Sequence, residues 1–446
     1  MESDVYTRGV AEIAGAVARS EVTPSQVAEA FLARIEAVEP RVHAWSYLDV
    51  EDVRAQAAAL TAEAAAGRLR GPLHGVPVGI KDEFHVKGAP TAMRGLASPV
   101  PEPEDATCVA RLRAAGAIIM GKTWMPVDGK NPPTRNPWDL ERTPGGSSSG
   151  SGAAVAAGMA PIAMGEQTGG STLRPAAYCG IAGLKPTFGR ISRYGCYPFS
   201  WSFDHPGIIG HTLEDIALVL SVVAGPDQRD PTTLQEPPPE AGLGMGSYAP
   251  ARIGVVRNFY PERTQPAMQQ AVDASAERLA RAGAAVTDIL LPEAFSALWA
   301  VHRLVGAVEG AAFHAHRVSA TPDFGTVRRH LFGAAVPGTY YLQAQRIRRW
   351  LGSQVEAQLT SQGLDILLMP AVPGPAPEGL DSTGPPVLLQ PWSTLGYPAL
   401  SINGGLSPEG LPLGLQFVAG PGRDYELMRL GAWGQEVLGR LPMPAL

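Results

Sequence analysis

The chain has 446 residues, 45% of them hydrophobic, and 36 Lys and Arg against 42 Asp and Glu give it a net charge of -6. That apolar content supplies a large core and excludes disordered and fibrous classes. The lack of a basic field argues against nucleic acid as a direct ligand. In chain order, Thr23-Pro24-Ser25-Gln26 offers an N-cap, an N1 proline and a capping-box glutamine before a helix over 27–38. Alanine-rich helices are predicted over 50–66 and 105–115, and strands over 76–80, 117–120, 161–164, 253–256, 286–291, 366–370 and 413–418. Helix alternating with strand predicts an α/β fold: one large domain, 1–446, with a mixed, mostly central β-sheet covered by helices on both faces. The proline-rich and acidic stretch 225–250 reads as a surface excursion of that domain.

The opening MESDVYTRGVAE is acidic and polar, so no secretory signal is read there, and no apolar run reaches the roughly eighteen residues of a membrane span. Cys108, Cys179 and Cys196 show no metal-ligand spacing, and the histidines form no H-E-x-x-H. The expectation is a cytoplasmic protein with no metal, no cofactor and no membrane contact.

The densest signal is 145–189, GGSSSGSGAAVAAGMAPIAMGEQTGGSTLRPAAYCGIAGLKPTFG. A helix over 151–160 climbs roughly 15 Å and a strand over 161–167 returns roughly 20 Å, which brings two serine-bearing glycine turns side by side. A flexible linker would show no apolar continuation, and a phosphate cradle would carry G-K-[ST]. Residues 146–150 satisfy G-x-S-x-G, but the elbow reading needs a buried strand before it, and NPWDLERTP is polar and proline-broken. Ser148, Ser149 and Ser151 read as helix caps. In LHGVPVGIKD, Lys81 ends a strand, either as a solvated lysine or as one whose burial lowers its pKa and makes it a base.

On these residues the chain resembles the amidase signature family, whose usual form is GGSSGGS, an alanine-rich helix, then GTDTGGSIRxPAAFCGxxGLKPT. The likeness continues through EDATCVARLRAAGAIIMGKT, PTRNPWDLERTPGG and GLPLGLQFVAGPGRDYELM. It implies a Ser-cisSer-Lys hydrolase in which Ser171 attacks, Ser147 relays the proton across a cis peptide, and Lys81 is the base. It also implies an oxyanion hole from the amides of Thr168, Gly169, Gly170 and Ser171. Departures are Glu166-Gln167 for the usual Thr-Asp, Arg174 three residues after the nucleophile instead of two, and Val127-Asp128 for a usual Glu-Phe. They point away from the glutaminase subunit of a tRNA-dependent amidotransferase, which stays as the alternative.

Substrate range is expected from a variable region at about 225–380. Trp299, Phe313, Phe324, Tyr340, Tyr341 and Trp350 there are either core or a covering for a bulky or aryl substrate. Trp124, Gln167, Arg174 and Trp201 are candidate substrate contacts, although Arg174 and Asp204 also fit a core ion pair. The resulting expectation is an aryl-acylamidase-like or urethanase-like enzyme that cleaves bulky or aryl small-molecule amides, esters or carbamates as a monomer or homodimer.

Overall fold

A computed structural model describes residues 5–91, 100–126, 131–237, 251–314 and 331–446. Val127, Asp128, Phe324 and the second half of the 225–250 excursion lie outside them. The strands are β1 (Trp45–Leu48), β2 (Pro77–Lys81), β3 (Ile118–Thr123), β4 (Ile162–Gln167), β5 (Ala182–Lys185), β6 (His205–Gly210), β7 (Arg252–Val256), β8 (Ala285–Ile289), β9 (Ile366–Pro370), β10 (Ala399–Leu406) and β11 (Pro412–Val418). Among the described residues they form one sheet in the order β1-β3-β2-β4-β6-β5-β10-β11-β9-β7-β8. The sheet is mixed. β2 runs parallel to β3 and β4, the middle from β4 through β11 to β9 is antiparallel, and β9, β7 and β8 are parallel again.

β2, β3, β4, β5, β6 and β9 are buried along their whole length, so both faces of the sheet must be covered. Helices do this in two groups. Ser149–Ala156 and Leu173–Tyr178 touch each other and lie on β4 and β11, whereas Leu213–Val223, Pro266–Arg281 and Asp424–Leu438 form a second packed set. The α/β fold and the central sheet match the expectation. So does the capping box, where the Thr23 hydroxyl accepts from Gln26 N and Gln26 Oε1 accepts from Thr23 N. Four strands, β1, β5, β6 and β10, were not foreseen.

Within 225–237 the excursion packs down. Leu234 N donates to Gly189 O at 2.9 Å and Gly225 N to Arg190 O at 3.1 Å, which ties this stretch to the end of the signature segment. No helix among the described residues is long and apolar enough to cross a membrane.

Candidate active site

β2 and β4 are parallel neighbours, with Ile80 opposite Met164, so their C-terminal ends meet and bring Lys81 beside Glu166. After β4 the chain turns at 168–171, next to the earlier turn at 145–148, and Ser148 N donates to Ser171 O at 3.0 Å. The two glycine turns are therefore adjacent, as the segment lengths predicted. The helix Ser149–Ala156 is wholly buried between them and the sheet. At its start a Cβ on Gly150 would fall 2.2 Å from Ala44 O and 2.4 Å from Trp124 N, so only glycine permits this seat.

The serines around this start are not caps, contrary to expectation. Ser148 Oγ accepts from Glu166 N at 3.3 Å, Ser149 Oγ donates to Gly145 O at 2.7 Å, and Ser151 Oγ donates to Met164 O at 3.0 Å and meets Thr123 Oγ1 at 2.7 Å. Burial of the helix start between strands turns its hydroxyls toward their backbone instead. The elbow reading fails on the same observation, because Ser148 is fully buried and bound to the strand.

The peptide Gly146-Ser147 is cis. Lys81 Nζ lies 2.7 Å from Ser147 Oγ and 3.1 Å from Glu166 O, and it is completely buried. Two carboxylates also reach it, Glu83 Oε1 at 2.9 Å and Glu166 Oε2 at 3.3 Å. Glu83, absent from the sequence reading, stands in the turn that closes directly after β2, where Glu83 N donates to Lys81 O at 2.8 Å. Burial alone would push the Lys81 ammonium down, but the charges of Glu83 and Glu166 outweigh it and leave its pKa above the ordinary lysine value. The expectation of a lysine neutralised by burial is thus corrected. Burial, reinforced by the Glu83 charge, in turn pushes the Glu166 carboxyl well above the usual range. The Thr168 hydroxyl lies 3.1 Å from Glu166 Oε1 and 2.9 Å from Asp204 Oδ1. Burial raises Asp204 to about 6 against the pull of its bonds from Phe199 N and Ser200 N.

Gly169 O, Gly170 O and Ser171 O accept from Ser393 Oγ, Arg174 N and Ser148 N, but the amides of these three residues donate to no acceptor among the described residues. The space beside these glycines is tight. A Cβ on Gly170 would stand 3.0 Å from Leu389 Cδ1 and 3.1 Å from Pro386 Cβ. The Cβ position of Gly169 is 3.4 Å from both His302 Nε2 and Gln390 Cγ. Both residues line a cleft of about 670 Å³, together with Phe199, Arg303, Ala307 and Phe332. His302 and Gln390 thus stand between the second glycine turn and this cleft.

The remaining candidates serve the frame. Arg174 is buried and clamps the cis turn: Nε donates to Gly146 O at 3.0 Å, Nη2 to Gly146 O and, at 3.1 Å, to Thr383 Oγ1, and Nη1 to Gly384 O. Gln167 has both amide atoms engaged, Oε1 by the amides of Thr172 and Leu173 and Nε2 with Ser393 Oγ. Trp124 holds the helix start through its backbone, accepting from Gly150 N at 2.8 Å. Trp201 packs edge-on against Phe313 with centroids 4.5 Å apart, beside a smaller cavity. Trp299 sends Nε1 to Val387 O at 2.7 Å, and Tyr341 donates to the buried Glu309. Tyr340 and Trp350 are exposed. Among the described residues, the predicted aromatics are thus not part of the cleft lining, which includes Phe199 and Phe332.

Residues 26–428 match the family model described as Amidase. Among curated proteins the chain is similar to a glutamyl-tRNA(Gln) amidotransferase subunit of Roseiflexus sp. (strain RS-1), 38% identical over 95% of this chain and 94% of the relative. It is similar to the corresponding glutamyl-tRNA(Gln) amidotransferase subunit of Salinispora arenicola (strain CNS-205), 36% identical with both chains covered in full. Among solved structures, a vestigial protein complex linked to the evolutionary origins of an s-triazine catabolic enzyme superposes with a TM-score of 0.89, at 32% identity over 98% of this chain and 100% of that one. The native peptide amidase from Stenotrophomonas maltophilia superposes with a TM-score of 0.84, at 29% identity over 98% of each chain. With the two glycine turns, the buried lysine and a family match over most of its length, the chain belongs to the amidase signature family and is an enzyme acting on the C–N bonds of amides.

Proposed function

We propose that the chain hydrolyses a carboxamide through an acyl-enzyme on Ser171. Ser171 Oγ attacks the carbonyl carbon and gives its proton to Ser147, which passes one to Lys81; the relay reverses to protonate the departing amine. The amides of Thr168, Gly169, Gly170 and Ser171 receive the oxyanion, each worth about 3 kcal/mol to the transition state. The observation that carries this is the 2.7 Å contact of Lys81 Nζ with Ser147 Oγ, beside a second glycine turn whose three amides are unengaged among the described residues.

We further propose that it works as the amidase component of an amidotransferase, with glutamine as ammonia donor. Support comes from its full-length similarity to chains named as glutamyl-tRNA(Gln) amidotransferase subunits. A net charge of -6 favours a partner chain, not this one, as the holder of tRNA. A second reading, a free-standing hydrolase of bulkier amides, and by the same acyl chemistry of esters or carbamates, is favoured by the apolar cleft walls Phe199, Ala307 and Phe332 and by Glu166-Gln167 in the signature.

The purified chain, alone and with its amidotransferase partner chains, is assayed on glutamine, a p-nitroanilide, a p-nitrophenyl ester and an aryl carbamate. Glutamine hydrolysis that appears only with partners supports the amidotransferase reading, and efficient turnover of aryl substrates alone supports the second. Ser171→Ala abolishes every activity and removes covalent labelling by a sulfonyl fluoride; retained turnover sinks the acyl-enzyme.

A further inference from the structure

A relay that ends on Lys81 needs a lone pair on Nζ, yet two carboxylates stand within 3.3 Å of that nitrogen in a site closed to solvent. The proton count resolves the conflict. Lys81 as ammonium with Glu83 and Glu166 both ionised holds the same number of protons as neutral Lys81 with one carboxyl protonated. The two forms differ only in breaking one Nζ–H bond and making one O–H bond, and no proton leaves for water.

We infer that Glu166 is a positioning residue that takes this proton, so that Lys81 turns a lone pair to Ser147 while Glu83 stays ionised as its counter-charge. The inference rests on the Ser171–Ser147–Lys81 reading above. Geometry separates the two carboxyls. Glu166 Oε2 is 3.3 Å from Nζ, its Oε1 is 3.1 Å from the Thr168 hydroxyl, and that hydroxyl in turn reaches the Asp204 carboxyl. Glu166 therefore sits between three other acidic or basic groups, where a second negative charge is hardest to sustain. Glu83 Oε1, at 2.9 Å, is the closer partner for an ammonium. When Ser147 delivers its proton to Nζ, the new ammonium meets the Glu83 carboxylate, and the charge created in the transition state is neutralised on the spot.

Every other ionisable group facing the cluster leaves this division intact. Asp82 is paired with Lys122 at 2.8 Å, Arg193 lies against Asp230 at 3.6 Å, and the Cys196 thiol is pushed well up by burial and the surrounding carboxylates. The raised carboxyl of Glu166 and the raised ammonium of Lys81 are consistent with one proton contested between them.

The test is the pH dependence of kcat/KM, and of Ser171 inactivation by a sulfonyl fluoride, for the full chain and for Glu166→Gln. If Glu166 accepts the proton, the variant must shed it to solvent: its acid limb moves to higher pH by at least one unit, activity at pH 7 falls about tenfold or more, and the rate recovers toward pH 10. If Glu166 is only a charge or a structural prop, Glu166→Gln removes a negative neighbour, Lys81 loses its proton more readily, and the limb stays or moves to lower pH. That outcome overturns the inference. Should Glu166→Gln fail to fold, Glu166→Thr, the residue usual in the family signature, carries the same prediction. Turnover surviving in Ser171→Ala would instead refute the underlying relay, whatever the limb does.

Discussion

Replacing Arg174 with Met asks how much of the cis turn's geometry depends on one buried side chain. Met keeps most of the stem volume, so the cavity left is small. Three acceptors lose their donor: Gly146 O, Gly384 O and Thr383 Oγ1. At about 1–3 kcal/mol for each buried group left unpaired, and about half that for the two part-buried ones, the loss is about 2–6 kcal/mol. The substitution also removes a buried charge. Burial lowers the Arg174 guanidinium to about 10, which at about 1.4 kcal/mol per pH unit is about 3 kcal/mol of unfavourable transfer. The folded pKa lies below the unfolded one, so this penalty is fully present at neutral pH and is relieved only as pH rises past 10. The net destabilisation in Arg174→Met is therefore at most about 3 kcal/mol, measured by urea unfolding at pH 7. Turnover falls much further. Gly146 O is released on the residue that precedes Ser147, and a displacement of about 1 Å at a relay atom is worth about 100-fold. Wild-type kcat in Arg174→Met, with or without lost stability, would refute the claim that Arg174 sets the position of Ser147.

Ser147→Ala lowers kcat/KM for amide release by about 100- to 10,000-fold and leaves the unfolding midpoint within error. A fall of less than tenfold would mean that Lys81 reaches Ser171 by another path. Gly414→Ala places a Cβ 2.3 Å from Ala177 Cβ and 2.8 Å from Ala177 Cα, and costs about 1–3 kcal/mol in urea unfolding because neither helix nor strand can retreat. Lys185 is fully buried, donates to Pro186 O and Tyr397 O, and has its pKa lowered by burial to about 7. Its unfolded value is near 10.4, so the chain is penalised below pH 7 and relieved as pH rises toward 10. The stability of the wild type measured against Lys185→Met therefore rises by about 4 kcal/mol between pH 7 and pH 10, and a difference that does not change with pH would refute that burial.

What the sequence made legible is local. The length of helix and strand between two glycine turns was enough to place Ser147 near Ser171, and the strand ending at Lys81 was readable from alternation alone. The missed strands share a physical cause. β5 is AGLK, too short for a pattern, while β6 as HPGIIG and the end of β10 as NGGL carry the residues that usually break strands. They exist because β6 and β5 complete ladders with β4 and β10, a pairing that no window of the sequence contains. The same limit explains the site. Of the two readings open for Lys81 the buried one describes the structure, but burial does not lower its pKa, because the carboxylates buried with it, Glu83 just beyond β2 and Glu166 at the end of β4, favour the ammonium. Glu166 stood in plain view as a departure from the family pattern, and Glu83 two residues past the lysine. Neither had meaning until the parallel pairing of β2 with β4 brought Glu166 to the nitrogen that the turn after β2 already offers to Glu83. A departure from a signature is for that reason best read together with the charges buried beside it. A second acid beside the base would silence a relay if it stood alone with the lysine, and it becomes tolerable once another carboxyl is close enough to share the proton.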